Sequence, residues 1–406
     1  MENLELVIIG HVDHGKSTLI GRLLLDTDSL PKDKITELRK ISKELGSDTA
    51  LAFVTDQLKE EREQNKTIDT TQIFFKTRKR NYVIIDTPGH VEFIKNMLTG
   101  ACFAHAAILI IDAHEGIMEQ TKRHAYLIKM LGINQLVVAL NKIDIIDYSE
   151  DKFNKLRDEL LGFFKELGTN PSFIIPISAK EAVNITKIDP KTGWYSGPSL
   201  LAAIDSFKLN ADISERPLRF PIQDIYKMGT EKVLVGRLES GKLKKGQRVV
   251  YLPSGEKTTI NSIKVFGEPD RKTALAGESI GLVLDSDSPV KRGAVIVEEE
   301  NLPKLTSHFG GNVFWMFEEP LQLNTPFTFR CATQEVSCIA ERIENRINSS
   351  TLEVIEESAK ELKLNEAAAV TFKTERPIVV ENFSFIEELG RFTIECETHL
   401  KGLGII

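Results

Sequence analysis

The chain has 406 residues, 41% of them hydrophobic and 27% charged, and a formal net charge of −7. That length is too great for one hydrophobic core and predicts two or three domains. The composition is that of a globular protein: no apolar run is long enough to span a bilayer, and the acidic balance argues against DNA as a partner.

Residues 1 to about 210 alternate strand and helix patterns. Apolar strand candidates lie at 4–9, 82–85, 106–111, 136–140 and 173–177, with helical patterns between them, for instance 121–131 and 151–167. This reads as an α/β domain with a mostly parallel, doubly wound sheet. The chemistry of such sheets lies outside the carboxyl ends of the strands. The chain opens directly on its first strand, with no basic-then-apolar leader, so a cytoplasmic protein is expected.

Directly after the first strand comes Gly10-His11-Val12-Asp13-His14-Gly15-Lys16-Ser17, which fits G-x-x-x-x-G-K-[ST]. Glycine at both ends lets the backbone curl around a phosphate chain with its N–H groups pointing inward. Lys16 can reach the outer phosphates, Ser17 can offer a hydroxyl to Mg²⁺, and Ser17 and Thr18 open a helix whose N-terminus faces the anion. A charged, helix-prone insertion follows at 31–63. Its end, Glu61-Arg62-Glu63-Gln64-Asn65-Lys66-Thr67, is a candidate for a loop that closes over the nucleotide.

Asp86-Thr87-Pro88-Gly89-His90 follows the second strand candidate. A carboxylate there can hold Mg²⁺ through water, the Gly89 N–H can approach a γ-phosphate, and His90 lies where an attacking water would be aligned. Asn141-Lys142-Ile143-Asp144 follows the strand candidate at 136–140. The Asp144 carboxylate can accept from N1–H and the 2-amino group of guanine, a pair of donors that adenine lacks. The stem of Lys142 can cover the base. After the strand at 173–177, the backbone of Ser178-Ala179-Lys180 can reach the guanine 6-keto oxygen. Four such motifs, in this order and each at a strand end, form a GTPase signature.

Near residue 212 the pattern changes to short alternating strands with Gly turns, including 232–239, 248–252 and 258–265. These suggest a closed β-barrel over 213–300, after a nucleotide-binding domain at 1–212. A second all-β module is expected over 301–406, with strand candidates at 312–317, 328–333 and 368–372 and an aromatic core around Trp315. The segment 341–364 reads as strand or loop. This last module carries ten Lys and Arg against sixteen Glu, an acidic face for any RNA backbone. The cysteines Cys102, Cys331, Cys338 and Cys396 form no C-x-x-C pair, which predicts reduced thiols. His105, His114, His124, His308 and His399 lack ligand spacing and are expected to have structural or surface roles.

The histidine-containing phosphate loop and Asp86-Thr87-Pro88-Gly89-His90 resemble the translation-factor class of GTPases. The resemblance implies a GTPase domain followed by two β-barrels, with GTP/GDP and Mg²⁺ as cofactors. It gives Lys16 to the phosphates, Ser17 and Thr67 to the metal, Asp86 to the metal's outer shell and His90 to the hydrolytic water. Leu19-Ile20-Gly21-Arg22-Leu23-Leu24 and Trp194-Tyr195-Ser196-Gly197-Pro198 look like the branch shared by elongation factor 1-alpha and the large subunit of bacterial sulfate adenylyltransferase. The segments 112–124 and 250–255 are more similar to the second, and the phosphate loop and the last module to the first. In the loop before Thr67, Asn65 and Lys66 stand where the family has Gly and Ile. The expected function is a Mg²⁺-dependent GTPase switch. Its first reading is the subunit of sulfate adenylyltransferase that couples GTP hydrolysis to adenosine 5′-phosphosulfate formation on a small ATP-sulfurylase subunit. The alternative is a carrier of aminoacyl-tRNA to the ribosome.

Overall fold

A strand covered on both faces reads as an unbroken apolar run, and the N-terminal sheet is built on such strands. The computed structural model describes residues 3–30, 34–36, 51, 71–86, 104–208, 213–229, 231–265, 268–285, 290–396 and 399–406. Six strands form the first sheet: β1 (Asn3–Gly10), β2 (Thr71–Lys76), β3 (Asn81–Asp86), β4 (Ala106–Asp112), β5 (Leu136–Asn141) and β6 (Phe173–Pro176), in the order β2-β3-β1-β4-β5-β6. Every residue of β4 and β5 is buried. All neighbours in this sheet run parallel except β2, which pairs antiparallel with β3 at the edge. The sequence patterns point to no strand at β2. Its residues alternate, with Ile73 and Phe75 inward and Gln72 and Phe74 exposed, as expected of an edge strand.

Among the described residues, the helices α1 (Lys16–Asp26), α2 (Glu119–Met130), α3 (Glu150–Leu167) and α4 (Leu200–Ser206) accompany this sheet. In α3 the Ser149 hydroxyl accepts from the Lys152 N–H, Glu150 and Asp151 occupy the first turn, and Gly168 closes the helix at φ 74°. These are the cap and dipole preferences of a well-defined helix. Phe153, Leu156, Leu160, Phe163, Phe164 and Leu167 form its buried stripe.

The chain divides into two compact units, Met1–Leu209 and Asn210–Ile406. The second holds two closed sheets. In the first of these, the strands Arg248–Leu252, Val295–Glu298, Arg219–Met228, Glu231–Arg237, Ser279–Leu284 and Glu256–Val265 neighbour one another in that order, and the last pairs back with the first. The other runs Phe327–Cys331, Arg391–Cys396, His399–Ile405, Lys304–Trp315, Glu366–Val380 and Gln334–Asn348, and closes the same way. The ambiguous segment 341–364 holds both: the end of the strand Gln334–Asn348, then Val354–Ala359 and Glu361–Leu362, joined by turns, and in the first of these Glu335, Arg342 and Glu344 are exposed. Within this unit Val250, Leu252, Val295 and Val297 pack against Val379, Ile386 and Leu389. Beside them the Arg219 guanidinium, 2% exposed, donates to Glu381 at 2.6 and 2.8 Å. Mixed α/β followed by β-barrels is thus the architecture of the chain. The segments 37–50 and 52–70 lie outside the described residues, and with them most of the charged insertion and Thr67. So do 87–100, with Gly89 and His90.

Candidate nucleotide-binding site

The sheet order places the ends of β1, β3, β4, β5 and β6 side by side, and every sequence motif falls on one of these ends. Gly10 is the last residue of β1. A Cβ there would come within 2.6 Å of the Ile110 carbonyl oxygen on β4, so glycine is required by strand packing rather than by loop curvature. The loop itself turns through Asp13 at φ 64° and Gly15 at φ 92°, the left-handed conformation that glycine adopts most cheaply. Gly15 is also the N-cap of α1, with no side-chain cap and no acid in the first turn. That arrangement leaves the positive end of the helix dipole to an anion. Lys16 Nζ donates to the carbonyls of Gly10 and His11 at 2.8 and 2.9 Å, which draws the ammonium over the loop. Ser17 and Thr18 are half-buried in the first turn of α1, and Val12 and Asp13 are exposed.

His14 contributes its side chain downward. It is 1% exposed, and its Nε2 lies 3.0 Å from Glu115 Oε2 while Nδ1 lies 3.3 Å from the Asp112 N–H. Burial pushes its pKa below the usual histidine range, against the pull of Glu115. A neutral ring with its proton on Nε2 satisfies both contacts. The His11 ring stacks on it at 5.2 Å. Asp112, 2% exposed at the end of β4, pairs with Lys142 Nζ at 2.8 Å and accepts from the His114 N–H at 2.7 Å. Burial alone would raise its pKa, but these bonds outweigh it and hold the carboxyl below its ordinary range.

Asn141 locks two motifs together. Its Nδ2 donates to the His14 carbonyl at 2.9 Å, and its Oδ1 accepts from the Ala179 N–H at 3.0 Å. The Ala179 N–H is therefore taken up by Asn141 in this structure. The Ile143 N–H donates to the Ile177 carbonyl at 3.1 Å, and Ser178, fully buried, accepts from the Glu181 N–H at 3.2 Å. Lys142 sits at φ 61°, turned back toward Asp112. Among the described residues, Asp144 Oδ1 is buried without a hydrogen-bond partner. A buried carboxylate oxygen left unpaired is costly, and the N1–H and 2-amino donors of a guanine match it. Asp86 ends β3, opposite Ile8 of β1. The oxygen donors expected of a metal site, the hydroxyls of Ser17 and Thr67 and the carboxylate of Asp86, are of the kind that suits Mg²⁺.

Four residues of this neighbourhood are not singled out by the motifs. Asp112 anchors Lys142, Glu115 holds His14, and Arg22 of α1 donates to the carbonyls of Ala179 and Lys180 at 3.0 and 2.9 Å. His124, on α2 and 4% exposed, lies within electrostatic reach of Lys16 and Arg123 and, among the described residues, has an unpartnered Nδ1. Burial above all holds its pKa down, to about 3.

The family model "Elongation factor Tu GTP binding domain" matches residues 1–210, "Elongation factor Tu domain 2" matches 231–297, and "GTP-eEF1A C-terminal domain-like" matches 308–406. The chain is 39% identical to elongation factor 1-alpha of Methanobrevibacter smithii over 400 residues, which is 97% of this chain and 94% of that protein. It is also 39% identical to elongation factor 1-alpha of Methanosarcina mazei with the same coverage. A solved structure of sup35 with GDP aligns with a TM-score of 0.46 at 23% identity, covering 100% of this chain and 93% of that one. The elongation factor 1-alpha relatives overturn the expectation of a sulfate adenylyltransferase subunit with a small ATP-sulfurylase partner, because they match 97% of the chain. The two segments that pointed there form local turns. Residues 112–118 form the turn in which Asp112 and Glu115 hold Lys142 and His14, and at 250–255 the Ser254 hydroxyl closes a hairpin turn on the Tyr251 carbonyl. The chain belongs to the elongation factor Tu and 1-alpha family of GTP-binding translation factors.

Proposed function

We propose that this chain is a cytoplasmic GTPase switch of the elongation factor 1-alpha kind, which carries aminoacyl-tRNA to the ribosome while GTP is bound. The observation that carries the nucleotide reading is the unpartnered Asp144 Oδ1 beside the Asn141 bridge. In this reading the chain has three modules, 1–212, 213–300 and 301–406. The phosphate-loop N–H groups and the α1 terminus bind the phosphates, and Lys16 neutralises their charge. Ser17, Thr67 and Asp86 would hold Mg²⁺, which supplies further charge neutralisation when bound. His90 orients the attacking water, and Thr67 and Gly89 sense the γ-phosphate, so that its loss releases both loops. The full-length relatives named elongation factor 1-alpha support the carrier role.

The nucleotide reading is tested by Asp144→Asn. GTP affinity should fall about 100-fold, the worth of charged hydrogen bonds left unmade, with xanthosine triphosphate gaining in its place. Unchanged GTP affinity by titration would refute the base assignment. The carrier reading is tested by hydrolysis of the aminoacyl ester. The purified protein with GTP should slow it, and with GDP should not; equal rates in the two states would refute tRNA carriage.

A further inference from the structure

The turn that follows β6 is held from two sides. Asn141 takes the N–H of Ala179, and Arg22 takes two consecutive carbonyls. One edge of the guanidinium does the second job, with Nε on the Ala179 oxygen and Nη2 on the Lys180 oxygen. The remaining nitrogen, Nη1, lies 3.5 Å from Asp26 Oδ1 one helical turn later. All three nitrogens of a rigid, planar group are therefore fixed, and only 14% of the side chain is exposed. Arg22 stands six residues after Lys16 on α1, so the helix that faces the phosphates also grips the base-side turn.

In a trans peptide the N–H points opposite to the C=O. Holding the Ala179 carbonyl toward α1 turns the Lys180 N–H away from α1. Holding the Lys180 carbonyl likewise sets the Glu181 N–H, which donates to Ser178 Oγ at 3.2 Å. Arg22 thus determines the orientation of two peptide planes in the segment expected to meet the base.

We infer that Arg22 is a positioning residue for base recognition, which fixes the peptide planes of the 179–181 turn against which the 6-keto oxygen of a guanine docks. The inference rests on the guanine reading above and names the side chain that enforces part of it. A lysine could hold one carbonyl as a point charge but could not reproduce the fork.

The test uses the full-length, nucleotide-stripped protein and competition titrations with three diphosphates. GDP has both the 6-keto and the 2-amino group, inosine diphosphate has only the 6-keto group, and 2-aminopurine riboside diphosphate has only the 2-amino group. Arg22→Met should weaken GDP and inosine diphosphate about tenfold, the worth of one or two hydrogen bonds, and shift the 2-aminopurine nucleotide less than about twofold. Arg22→Lys should give an intermediate loss in the same pattern. Equal losses for all three nucleotides, or no loss for any, would overturn the inference. Should Arg22→Met not fold, Arg22→Lys and Asp26→Asn report the same ratio. Wild-type protein that binds GDP no better than ADP would instead sink the guanine reading itself, whatever the Arg22 variants do.

Discussion

The strand ends of the N-terminal sheet and the interior of the last barrel fill buried space in opposite ways. At the strand ends the buried groups are polar: His14, Asp112, Asn141 and Ser178 are each 3% exposed or less. They persist there because each has a bonded partner, Glu115, Lys142, Ala179 and Glu181 in turn. In the barrel the space is filled by Phe309, Phe329, Phe372 and Phe392, whose ring centroids lie as close as 4.7 Å. An aromatic core needs no partner outside itself. A polar cluster with one oxygen unpaired, as at Asp144, calls for a ligand. The first region therefore displays its chemistry, and the second displays only its stability.

The sharpest way to break this contrast is Phe372→Ala. The ring is fully buried against Phe309, Phe327, Phe329 and Phe392, so truncation should cost about 3–5 kcal/mol. In a denaturant titration the transition of the 210–406 unit should move to lower concentration while GDP affinity stays unchanged. A fall in GDP affinity would show that the barrel core does enter the nucleotide chemistry. The converse change is Gly15→Ala. A Cβ would stand 2.5 Å from Asn141 Nδ2 at a φ of +92°. The left-handed strain alone is about 1–2 kcal/mol, and displacement of Asn141 would also release the Ala179 turn. GDP affinity should fall about 100-fold, roughly 2.7 kcal/mol, with the barrel transition unmoved. Retained affinity would mean that the loop re-forms without its left-handed residue.

The same contrast explains what could be read from the chain alone. Strand ends were legible because phosphate loops, carboxylates and turn residues occur at fixed offsets from apolar runs, and Gly15, Asn141 and Asp144 stand where those offsets put them. Arg22 and Glu115 were not legible, because their partners lie 157 and 101 residues away in the sequence and only the folded sheet brings them together. The edge strand Thr71–Lys76 was hidden by its alternation and shortness, and Gln334–Asn348 by its outward charges. Barrel sequences say little of a partner, because packing selects their inward residues and leaves the outward ones free to vary. The mistaken first reading of the pathway came from short segments, 112–124 and 250–255, whose residues serve turns within this chain.

The two units should also answer acid with opposite signs. Burial holds His124 near 3 in the folded protein, against about 6.5 unfolded. Below pH 6.5 the unfolded chain therefore binds a proton that the folded chain refuses, so the stability of the first unit falls as pH falls. His14, also lowered by burial, adds to the same slope, and Asp26, a carboxyl that burial raises, opposes it. In the barrels the direction reverses. Burial, reinforced by the neighbouring Glu388 carboxylate, raises Glu239 to about 7, and Glu388 is itself raised by burial. The folded form there keeps a proton that the unfolded carboxylates have released. Its stabilisation is complete below about pH 4.5 and is lost as pH rises toward 7. Each slope has an upper limit of about 1.4 kcal/mol per pH unit for each such group. Denaturant titrations at pH 5.0, 5.5, 6.0 and 6.5 should show the first transition strengthening with pH and the second weakening. His124→Leu should flatten the first slope to what His14 and Asp26 together leave, and Glu239→Gln should flatten the second. Parallel slopes in the two units would contradict the assignment of buried neutral histidines to one and shared buried carboxyls to the other.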